Sequence, residues 1–446
     1  MISIKSGQLL KIGDAVRLST GGTATVESLI GSGGQGEVYR VSVNGAPMAL
    51  KWYFPHLKTA PMVESLERLI NLHDPDPRFL WPVAIATSEH AASFGYVMPL
   101  RDAAFTTLLH VYSRKVDVSF RILCTVAYEL CDAFHHLHGR GLCYRDISFG
   151  NVFFNKDTGA ILICDNDNVC ADDPKIPVQV TGTPSFMAPE IVEGDSKPNT
   201  QTDLWSLAVL LFYIFCLHNP FNGKKETAIK CLDLPARRRL YGYQATFIFH
   251  PTDRSNVPDP QHHSTPQVYW PIYPTFFQDL FIATFTDGVL EPGKRVRESA
   301  WKKGLIRLRD SIILGPRGAE NFFDEGKLQT AGAIYDWQTK SPCVIPPRLI
   351  VNKNSIMLAE DTVVYAHHVD PDAEGNFTDL IAKGTHVPDR KDVPALRNVG
   401  SIAWVCSAPN GETREVAPGR GVRLEHDLRI NFGACEGTVE MVRARD

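Results

Sequence analysis

Apolar and polar residues alternate along most of the first hundred residues of this 446-residue chain, and turn glycines interrupt the alternation. The pattern is clearest in the segments "ATVESLIG", "GEVYRVSV" and "PMALKWYF". A period of two is typical of strands that bury one face. The helical stretch "PMVESLERLINLH" follows, with Pro61 near its start. The pattern therefore predicts a sheet accompanied by one helix.

From about residue 105 the spacing of apolar residues becomes helical, as in "SFRILCTVAYELCDAFHHLH". Short strands are predicted around "GLCYRD", "NVFF" and "ILICD", and helices resume at "QTDLWSLAVLLFYIFCLH" and "PTFFQDLFIATF". The apolar run at 204–217 is shorter than the roughly 18 residues of a membrane span, so it predicts a buried helix.

The last third of the chain has a different pattern. Residues 313–345 show no clear period and are interpreted as a linker or a small irregular module. Residues 346–446 are strand-like, with Gly, Pro, Asn and Asp between the runs, which indicates an antiparallel β-sandwich or barrel.

Composition and charge narrow the class of protein. Hydrophobic residues make up 44% and charged residues 22% of the chain, as in soluble globular proteins, and the formal net charge is −4. Without a long basic run, neither nucleic acid nor a membrane is expected as a partner. The N-terminal segment contains Lys5, Lys11 and Asp14, which argues against a signal peptide. Ten cysteines without a C-x-x-C pair indicate reduced thiols, so a cytoplasmic location is expected.

A glycine-rich loop, "IGSGGQGEVYRV", lies between two predicted strands. Its spacing, Gly31-x-Gly33-x-x-Gly36, fits either a plain hairpin tip or a loop whose backbone approaches a phosphate chain. Lys51 ends the next apolar strand, and burying its ammonium requires anionic partners such as phosphates or a carboxylate. Glu64 and Glu67 lie one turn apart on the following helix, and Glu64 is the preferred partner of Lys51.

Downstream motifs occur in a specific order and resemble those of eukaryotic-type serine/threonine protein kinases of bacterial origin. The motifs are "YRDISFGN" (144–151), "CDND" (164–167), "GTPSFMAPE" (182–190), "TDLWSLA" (202–208) and "EPGKRVRE" (291–298). The resemblance implies that Asp146 accepts the proton of a substrate hydroxyl and that Asn151 and Asp165 bind Mg²⁺. Together with Lys51, these are the predicted catalytic residues.

The same resemblance implies an ATP site. Met98 would be the gatekeeper, Leu100 would belong to the hinge that faces adenine, and the glycine loop would cover the phosphates. The base would lie between the apolar residues Val38, Ala49 and Phe153. The cofactors implied are ATP and Mg²⁺.

Five further residues carry structural or regulatory expectations from the family. Asp203 would hold the catalytic loop's backbone, and Arg295 would pair with Glu190. Thr183 would lie beside Asp146, and Thr181 is the candidate for regulatory phosphorylation.

The implied fold is α+β: a bilobal protein kinase followed by a C-terminal all-β sandwich. The predicted boundaries are 1–99 for the N-lobe, 100–312 for the C-lobe with an insert at about 223–272, 313–345 for the linker or module, and 346–446 for the sandwich. Segments of the tail, including "REVAPGRGVRLEHDLRINFG", resemble half of a forkhead-associated domain. The phosphothreonine-binding signals of that family are not found in the tail, so a protein-interaction role is preferred.

Four positions depart from the kinase pattern, and one of them, Ala208 in place of the usual glycine, is a small change. Ser148 stands where the family has a lysine that contacts the γ-phosphate. Asn166 and Asp167 replace the Phe and Gly of D-F-G, so Asn166 is not expected to pack as the apolar switch residue. Asp167 is interpreted as a turn residue, with an extra metal ligand as the alternative.

The neighbourhood of these motifs, including "LYGYQATFIFHPTDRSNVPD", resembles a bacterial kinase subgroup associated with tellurium-resistance and stress operons. That resemblance implies a von Willebrand A-type protein and a PP2C-type phosphatase as partners. A cysteine knuckle of the relatives retains only Cys343 here, so zinc is not expected.

The predicted function is ATP- and Mg-dependent phosphoryl transfer to serine and threonine hydroxyls of proteins in bacterial stress signalling. One alternative is a weak or inactive nucleotide-binding scaffold, which Ser148 and the altered D-F-G favour. A small-molecule kinase of the antibiotic-phosphotransferase type is a further alternative. "GTPSFMAPE" and "TDLWS" argue against it, because they build a platform for protein substrates.

Overall fold

The computed structural model describes residues 9–173, 182–373 and 375–442. The chain divides into two compact units. The first contains the residues up to Val118, Thr125–His263 and Phe281–Trp301, and the second contains Ser119–Cys124, Ser264–Leu280 and the residues from Lys302 onward. The predicted domain boundaries near residues 312 and 345 do not coincide with this division and remain predictions.

The first unit begins with a closed six-stranded barrel in the order β1-β2-β3-β4-β6-β5. One helix, α1, is inserted between β4 and β5. The elements are β1 (Ala15–Leu18), β2 (Thr23–Ser32), β3 (Gly36–Val43), β4 (Ala46–Tyr53), α1 (Ala60–Leu72), β5 (Ala84–Thr87) and β6 (Phe94–Pro99).

Strand β4 shows why the alternating pattern produces this barrel. Leu50 and Trp52 point into the barrel core, where both are fully buried. Ala49, Lys51 and Tyr53 occupy the opposite face, since successive side chains of a strand alternate. This second face of β4 contributes the side chains of the candidate site.

The chain between residues 105 and 310 is mainly helical, with short strands around its loops. The elements are β7 (Phe105–Thr107), α2 (Leu109–Tyr112), α3 (Phe120–Gly139), β8 (Leu142–Cys143), β9 (Val152–Asn155), β10 (Ile161–Ile163), β11 (Cys170–Ala171), α4 (Pro189–Glu193), α5 (Thr200–Cys216), α6 (Lys224–Thr227), α7 (Leu234–Tyr241), α8 (Ser264–Tyr269), α9 (Thr275–Phe285), α10 (Asp287–Leu290) and α11 (Glu298–Asp310).

Helix α5 is the buried helix that the apolar run predicts. Its residues from Thr202 to Cys216 are all buried, as expected for a helix that is apolar on every side. Asn199 caps its N-terminus: the side chain accepts hydrogen bonds from the backbone amides of Gln201 (2.9 Å) and Thr202 (3.2 Å). Among the described residues, no helix has both the length and the apolar character needed to cross a membrane.

The second unit contains the β-rich C-terminal region, in which two antiparallel sheets share one hydrophobic core. The sheet orders are β15-β14-β23-β22-β19-β20 and β16-β17-β18-β21. The elements are β12 (Ile312–Leu314), β13 (Glu320–Phe322), α12 (Glu325–Ala331), β14 (Arg348–Val351), β15 (Asn354–Met357), β16 (Val363–Tyr365), α13 (Ala366–Val369), β17 (Leu380–Val387), β18 (Arg390–Asn398), β19 (Trp404–Ser407), β20 (Thr413–Val416), β21 (Gly421–Arg423), β22 (Arg429–Asn431) and β23 (Glu436–Glu440). The resemblance of this region to a forkhead-associated domain stays a prediction.

The segment between residues 313 and 345, which has no clear sequence period, is ordered in the structure. Strands β12 and β13 form a hairpin, and α12 follows it. Ile313, Leu328 and Cys343 are buried in a small core that also includes Met357 of β15. The module lacks a sequence period because its elements are too short to show one.

Candidate active site

A cavity of about 620 Å³ lies between the barrel and the loops that follow α3. It contains most of the residues that the sequence proposes for a nucleotide site. The predicted residues that line it are Gly31, Gly33, Gly36, Val38, Ala49, Lys51, Met98, Leu100, Asp146, Phe153 and Asp165. The side chain of Asn151 contacts Asp146, which lines the cavity. Glu64 lies away from the cavity.

The glycine loop turns tightly between β2 and β3, where the amide of Gly33 donates to the carbonyl of Gly36 at 2.9 Å. A Cβ on Gly36 would lie 2.0 Å from the carbonyl oxygen of Trp52, so this position requires glycine for close backbone packing. A Cβ on Gly31, Gly33 or Gly34 would meet no heavy atom within 4 Å. The space beside these three glycines is therefore unobstructed on the side where a side chain would lie.

Strand register explains the arrangement of the apolar and charged groups. Ala49 is paired with Met98, and Lys51 is paired with Val38 on one side and Tyr96 on the other. Because paired residues share a face, these side chains form one surface. The base-binding residues predicted on β3, β4 and β6 are thus adjacent to the predicted catalytic lysine.

Lys51 is buried, with 6% of its side chain exposed. Its ammonium donates to Gln35 Oε1 (2.7 Å), Asp167 Oδ2 (2.9 Å) and Asp165 Oδ1 (3.3 Å). Burial alone would lower the pKa of Lys51, but the charges of Asp167 and Asp165 outweigh burial and raise it. Lys51 is therefore a fixed positive charge at the cavity.

The structure does not bring Glu64 to Lys51. The Glu64 side chain is 63% exposed and lies 3.9 Å from Arg68 on the same helix. Helix α1 buries only Leu66 and Leu69, so the face that carries Glu64 points to solvent. The assignment of Glu64 as the partner of Lys51 is corrected on this ground.

Asp167 occupies the place expected for that partner. Its side chain is 3% exposed, and each carboxylate oxygen accepts two hydrogen bonds. Besides Lys51, the donors are the hydroxyls of Tyr53 (2.6 Å) and Tyr96 (3.0 Å). Burial opposes the charged form of Asp167, but Lys51 and the two tyrosines lower the pKa of the carboxyl below its ordinary value. The interpretation of Asp167 as a turn residue is incomplete, since it also anchors Lys51.

Asp146 faces the cavity on a loop between β8 and β9. Its Oδ1 accepts from the Thr183 hydroxyl at 2.8 Å, as the family resemblance implies, and its Oδ2 accepts from the Asn151 amide at 3.2 Å. Both partners fix the orientation of the carboxylate. Arg145, which precedes it, has the left-handed φ of 73°, a conformation that non-glycine residues adopt when neighbouring contacts enforce it.

Those contacts come from the buried Asp203 of α5. Its carboxylate accepts from the amides of Tyr144 (2.5 Å) and Arg145 (2.9 Å) and from His138 Nε2 (3.1 Å). Asp203 therefore holds the loop's backbone, as predicted. Arg295 likewise forms a bidentate ion pair with Glu190, with distances of 2.8 and 2.7 Å. Thr181, the proposed regulatory site, lies outside the described residues.

Asp165 and Asn166 begin the segment that replaces D-F-G. The Asp165 side chain is 38% exposed, and burial raises the pKa of its carboxyl above the ordinary value. Asn166 is fully buried, and its amide donates to the carbonyl of Ile163 at 3.1 Å. Its Oδ1 is buried without a hydrogen-bond partner among the described residues. Asn166 is therefore packed as a polar residue, and the expectation that it does not act as the apolar switch residue stays a prediction.

Asn151 and Asp165 fit a divalent cation by the chemistry of their oxygen donors. The amide of Cys164 donates to the backbone carbonyl of Asn151 at 2.9 Å, which places Asp165 beside Asn151. The Asn151 side-chain nitrogen faces Asp146, so its oxygen is the atom that a cation would use. Asp146, Asp165 and Asp167 also give this end of the cavity an excess of negative charge over Lys51.

Sequence reasoning missed Gln35, Tyr53, Tyr96 and the anchoring role of Asp167. A signal existed for Tyr53, which lies two residues after Lys51 and thus on the same face of β4. Arg101 was also missed as a side chain of the site; it lines the cavity with its guanidinium 4.3 Å from the centre of the Phe153 ring. No local pattern pointed to Tyr96 or Asp167, because their contacts depend on strand pairing and on a distant segment.

Comparison with known proteins gives a match to the family model described as "Protein kinase domain" over residues 24–266. The chain is similar to the DNA damage-responsive serine/threonine-protein kinase RqkA of Deinococcus radiodurans, with 28% identity over 212 residues, which are 45% of this chain and 31% of that protein. It is similar to the serine/threonine-protein kinase PknD of Chlamydia pneumoniae, with 26% identity over 232 residues, 45% of this chain and 25% of that protein. A rat protein kinase C delta type shares 36% identity over 104 residues, 22% of this chain and 15% of that protein. The matched region thus spans less than a third of the length of these relatives.

Proposed function

This chain belongs to the protein kinase family, and from that premise we propose that it transfers the γ-phosphoryl group of ATP to serine and threonine hydroxyls of proteins. The observation that carries the proposal is the position of Asp146. Its carboxylate faces the same cavity as Lys51 and Asp165 and is oriented by Thr183 and Asn151.

Each of these residues has a task that phosphoryl transfer requires. Asp146 accepts the proton of the attacking hydroxyl, for which a carboxylate must be positioned near the nucleophile. Lys51 places a positive charge where the phosphates of ATP would lie, and the uncrowded backbone of Gly34 lines the same cavity. The reaction needs little beyond such positioning and charge neutralisation.

Magnesium is the proposed metal, and Asp165 and Asn151 are the residues that would hold it. When bound, the ion supplies positive charge to the phosphates. ATP would place its base between Val38, Ala49 and Phe153, with Met98 and Leu100 at the edge of the site.

The first experiment compares phosphate transfer from radiolabelled ATP by the wild type and by Asp146→Asn. We expect the variant to lose about a hundredfold to ten-thousandfold in rate, the usual contribution of a general base. Asp157→Asn, which changes an acid that is 74% exposed, is the matched control and should retain the wild-type rate. Equal rates for Asp146→Asn and the wild type would refute the proposed role of Asp146.

A nucleotide-binding scaffold is the second candidate, and Ser148 favours it. Ser148 is buried in the catalytic loop and leaves that position without a cation for the γ-phosphate. A scaffold would show a rise in melting temperature with MgATP but no transfer to itself or to protein substrates. We rank it second, because a scaffold has no need for an oriented Asp146.

The biological setting is also a proposal. We infer bacterial stress signalling, the tellurium-resistance kinase subgroup, and partners of the von Willebrand A and PP2C types from the sequence resemblance alone. A pull-down with candidate partners of these two types would test that setting separately from the activity.

A further inference from the structure

We propose that Asp167 is the residue that positions Lys51 for the nucleotide, the task that the family pattern assigns to Glu64. For its kinetic consequence the proposal rests on the proposed function. The ion pair itself can be tested without any activity.

The first argument is burial. The side chains of Lys51 and Asp167 are 6% and 3% exposed, and their charged atoms lie 2.9 and 3.0 Å apart. Removing two charges from water is costly, so such a pair persists only when its geometry is good and its remaining hydrogen bonds are satisfied. Glu64, 63% exposed beside Arg68, cannot satisfy a buried ammonium.

The second argument is the set of donors around the carboxylate. Tyr53 follows Lys51 by two residues on β4, and Tyr96 pairs with Lys51 across β4 and β6. Both hydroxyls therefore converge on Asp167 beside the ammonium. Since each carboxylate oxygen already accepts two hydrogen bonds, Asp167 has little capacity left to bind a metal ion.

The third argument is the rigidity of the segment that carries Asp167. Residues 166–168 form a short 3-10 helical turn, and Asn166 and Asn168 on either side of Asp167 are buried. The Asn166 amide donates to Ile163, and the Asn168 carbonyl accepts from the guanidinium of Arg145. The turn that carries Asp167 is thus held by hydrogen bonds to β10 and to the catalytic loop.

The two carboxylates therefore have different roles. Asp167 holds Lys51, whereas Asp165, more exposed and farther from the ammonium at 3.3 Å, faces the cavity. In this arrangement the buried carboxylate that pairs with Lys51 comes from the 165–168 segment and not from helix α1.

The test begins with double-mutant cycles on the stability of the full chain. Lys51→Met is combined with Asp167→Asn and, separately, with Glu64→Gln. We expect the first pair to be non-additive by about tenfold in the unfolding equilibrium constant, as for residues in contact, and the second pair to be additive. Additive effects of Lys51→Met and Asp167→Asn would overturn the proposal.

Kinetics of phosphate transfer provide the second measurement. We expect Asp167→Asn to lower kcat by about a hundredfold, the cost of misplacing a catalytic group, and to raise KM for ATP. Glu64→Gln represents the competing assignment, and Asp157→Asn is the matched control on the surface. A folded Asp167→Asn variant with wild-type kcat and KM, or an equal loss in Glu64→Gln, would overturn the proposal.

The magnesium dependence separates positioning from metal binding. Asp167→Asn should leave the Mg²⁺ concentration for half-maximal rate unchanged, whereas Asp165→Asn should raise it. A shift in Asp167→Asn as large as that in Asp165→Asn would assign Asp167 to the metal instead.

The experiments distinguish failure of the proposed function from failure of the proposed ion pair. If the wild type transfers no phosphate, the proposed function fails while the stability cycles still decide the ion pair. If Asp167→Asn does not fold, Tyr53→Phe removes one hydrogen bond from the carboxylate and should lower kcat by about fivefold. Wild-type kinetics in Tyr53→Phe would then count against the proposal.

Discussion

Gly36 is needed for the packing of the fold, whereas its neighbours in the glycine loop are available to a ligand. The carbonyl of Trp52 lies where a Cβ of residue 36 would be, so the approach of β3 and β4 depends on the missing side chain. Gly34, two residues earlier, faces open space. Glycine is therefore required at different positions of this one motif for different physical reasons.

We expect Gly36→Ala to lower the free energy of unfolding by about 2 kcal/mol, because a methyl group would force the two backbones apart. Gly34→Ala should change it by no more than about 0.5 kcal/mol, since nothing opposes the added group. Urea unfolding of both variants measures the difference. Equal stabilities of the two variants would contradict the steric explanation for Gly36.

The residues of the candidate site differ in how well their roles could be predicted from the sequence. Lys51 was predictable because a lysine at the end of an apolar strand needs an anionic partner. The partner itself was not, since Asp167 lies 116 residues away and reaches Lys51 only through tertiary packing. The spacing of Glu64 to His73 and the loop beyond predicts it as the partner, but the helix face that carries Glu64 is exposed.

Helices and strands were predicted better than side-chain contacts. The period-two runs became β2, β3 and β4, and the apolar run became the buried helix α5. The hairpin β12–β13 and helix α12 were not predicted, because elements of three to seven residues are too short to show a period.

Three helices meet at His138, which gives this part of the molecule a pH dependence. His138 on α3 contacts Asp203 on α5 and Glu298 at the start of α11. Burial would lower the pKa of His138, but hydrogen bonds from its ring to Asp203 and Glu298 outweigh burial and raise it to about 9. The charged imidazole therefore stabilises the folded chain.

We expect this contribution to be complete below about pH 6.5, the ordinary pKa of histidine, and to be lost as the pH rises toward 9. Its size should be about 1 to 3 kcal/mol. Thermal unfolding of His138→Gln should show a flatter pH profile in this window than the wild type. His90→Gln, an exposed control, should keep the wild-type profile, and parallel profiles of His138→Gln and the wild type would contradict the assignment.

At the scale of the whole molecule, the second unit links the segment after residue 312 to earlier parts of the chain. The Phe120 ring lies 5.1 Å from that of Phe322 and 6.2 Å from that of Trp337. Arg121 pairs with Glu320, and Lys327 donates to the carbonyls of Pro271 and Tyr273. The sequence could not reveal these contacts, because the residues that form them are far apart along the chain.

We therefore expect a chain ending at residue 312 to be less stable than one ending at residue 345. Loss of the segment exposes Phe120 and Tyr273, each of which contributes about 1.5 to 3 kcal/mol when buried. Thermal melts followed by circular dichroism measure the difference. Equal melting temperatures would show that the segment adds nothing to the fold.

The separation of Lys51 and Asp167 also has a consequence for the newly made chain. Asp167 follows Lys51 by 116 residues, which take about 6 to 23 s to synthesise at roughly 5 to 20 residues per second. Strands β5 and β6, which complete the barrel, are made early in that interval. The ammonium then still lacks the carboxylate of Asp167, and burying it alone is unfavourable. The face of β4 that carries Lys51 must therefore stay hydrated until the ribosome has delivered the segment that completes it.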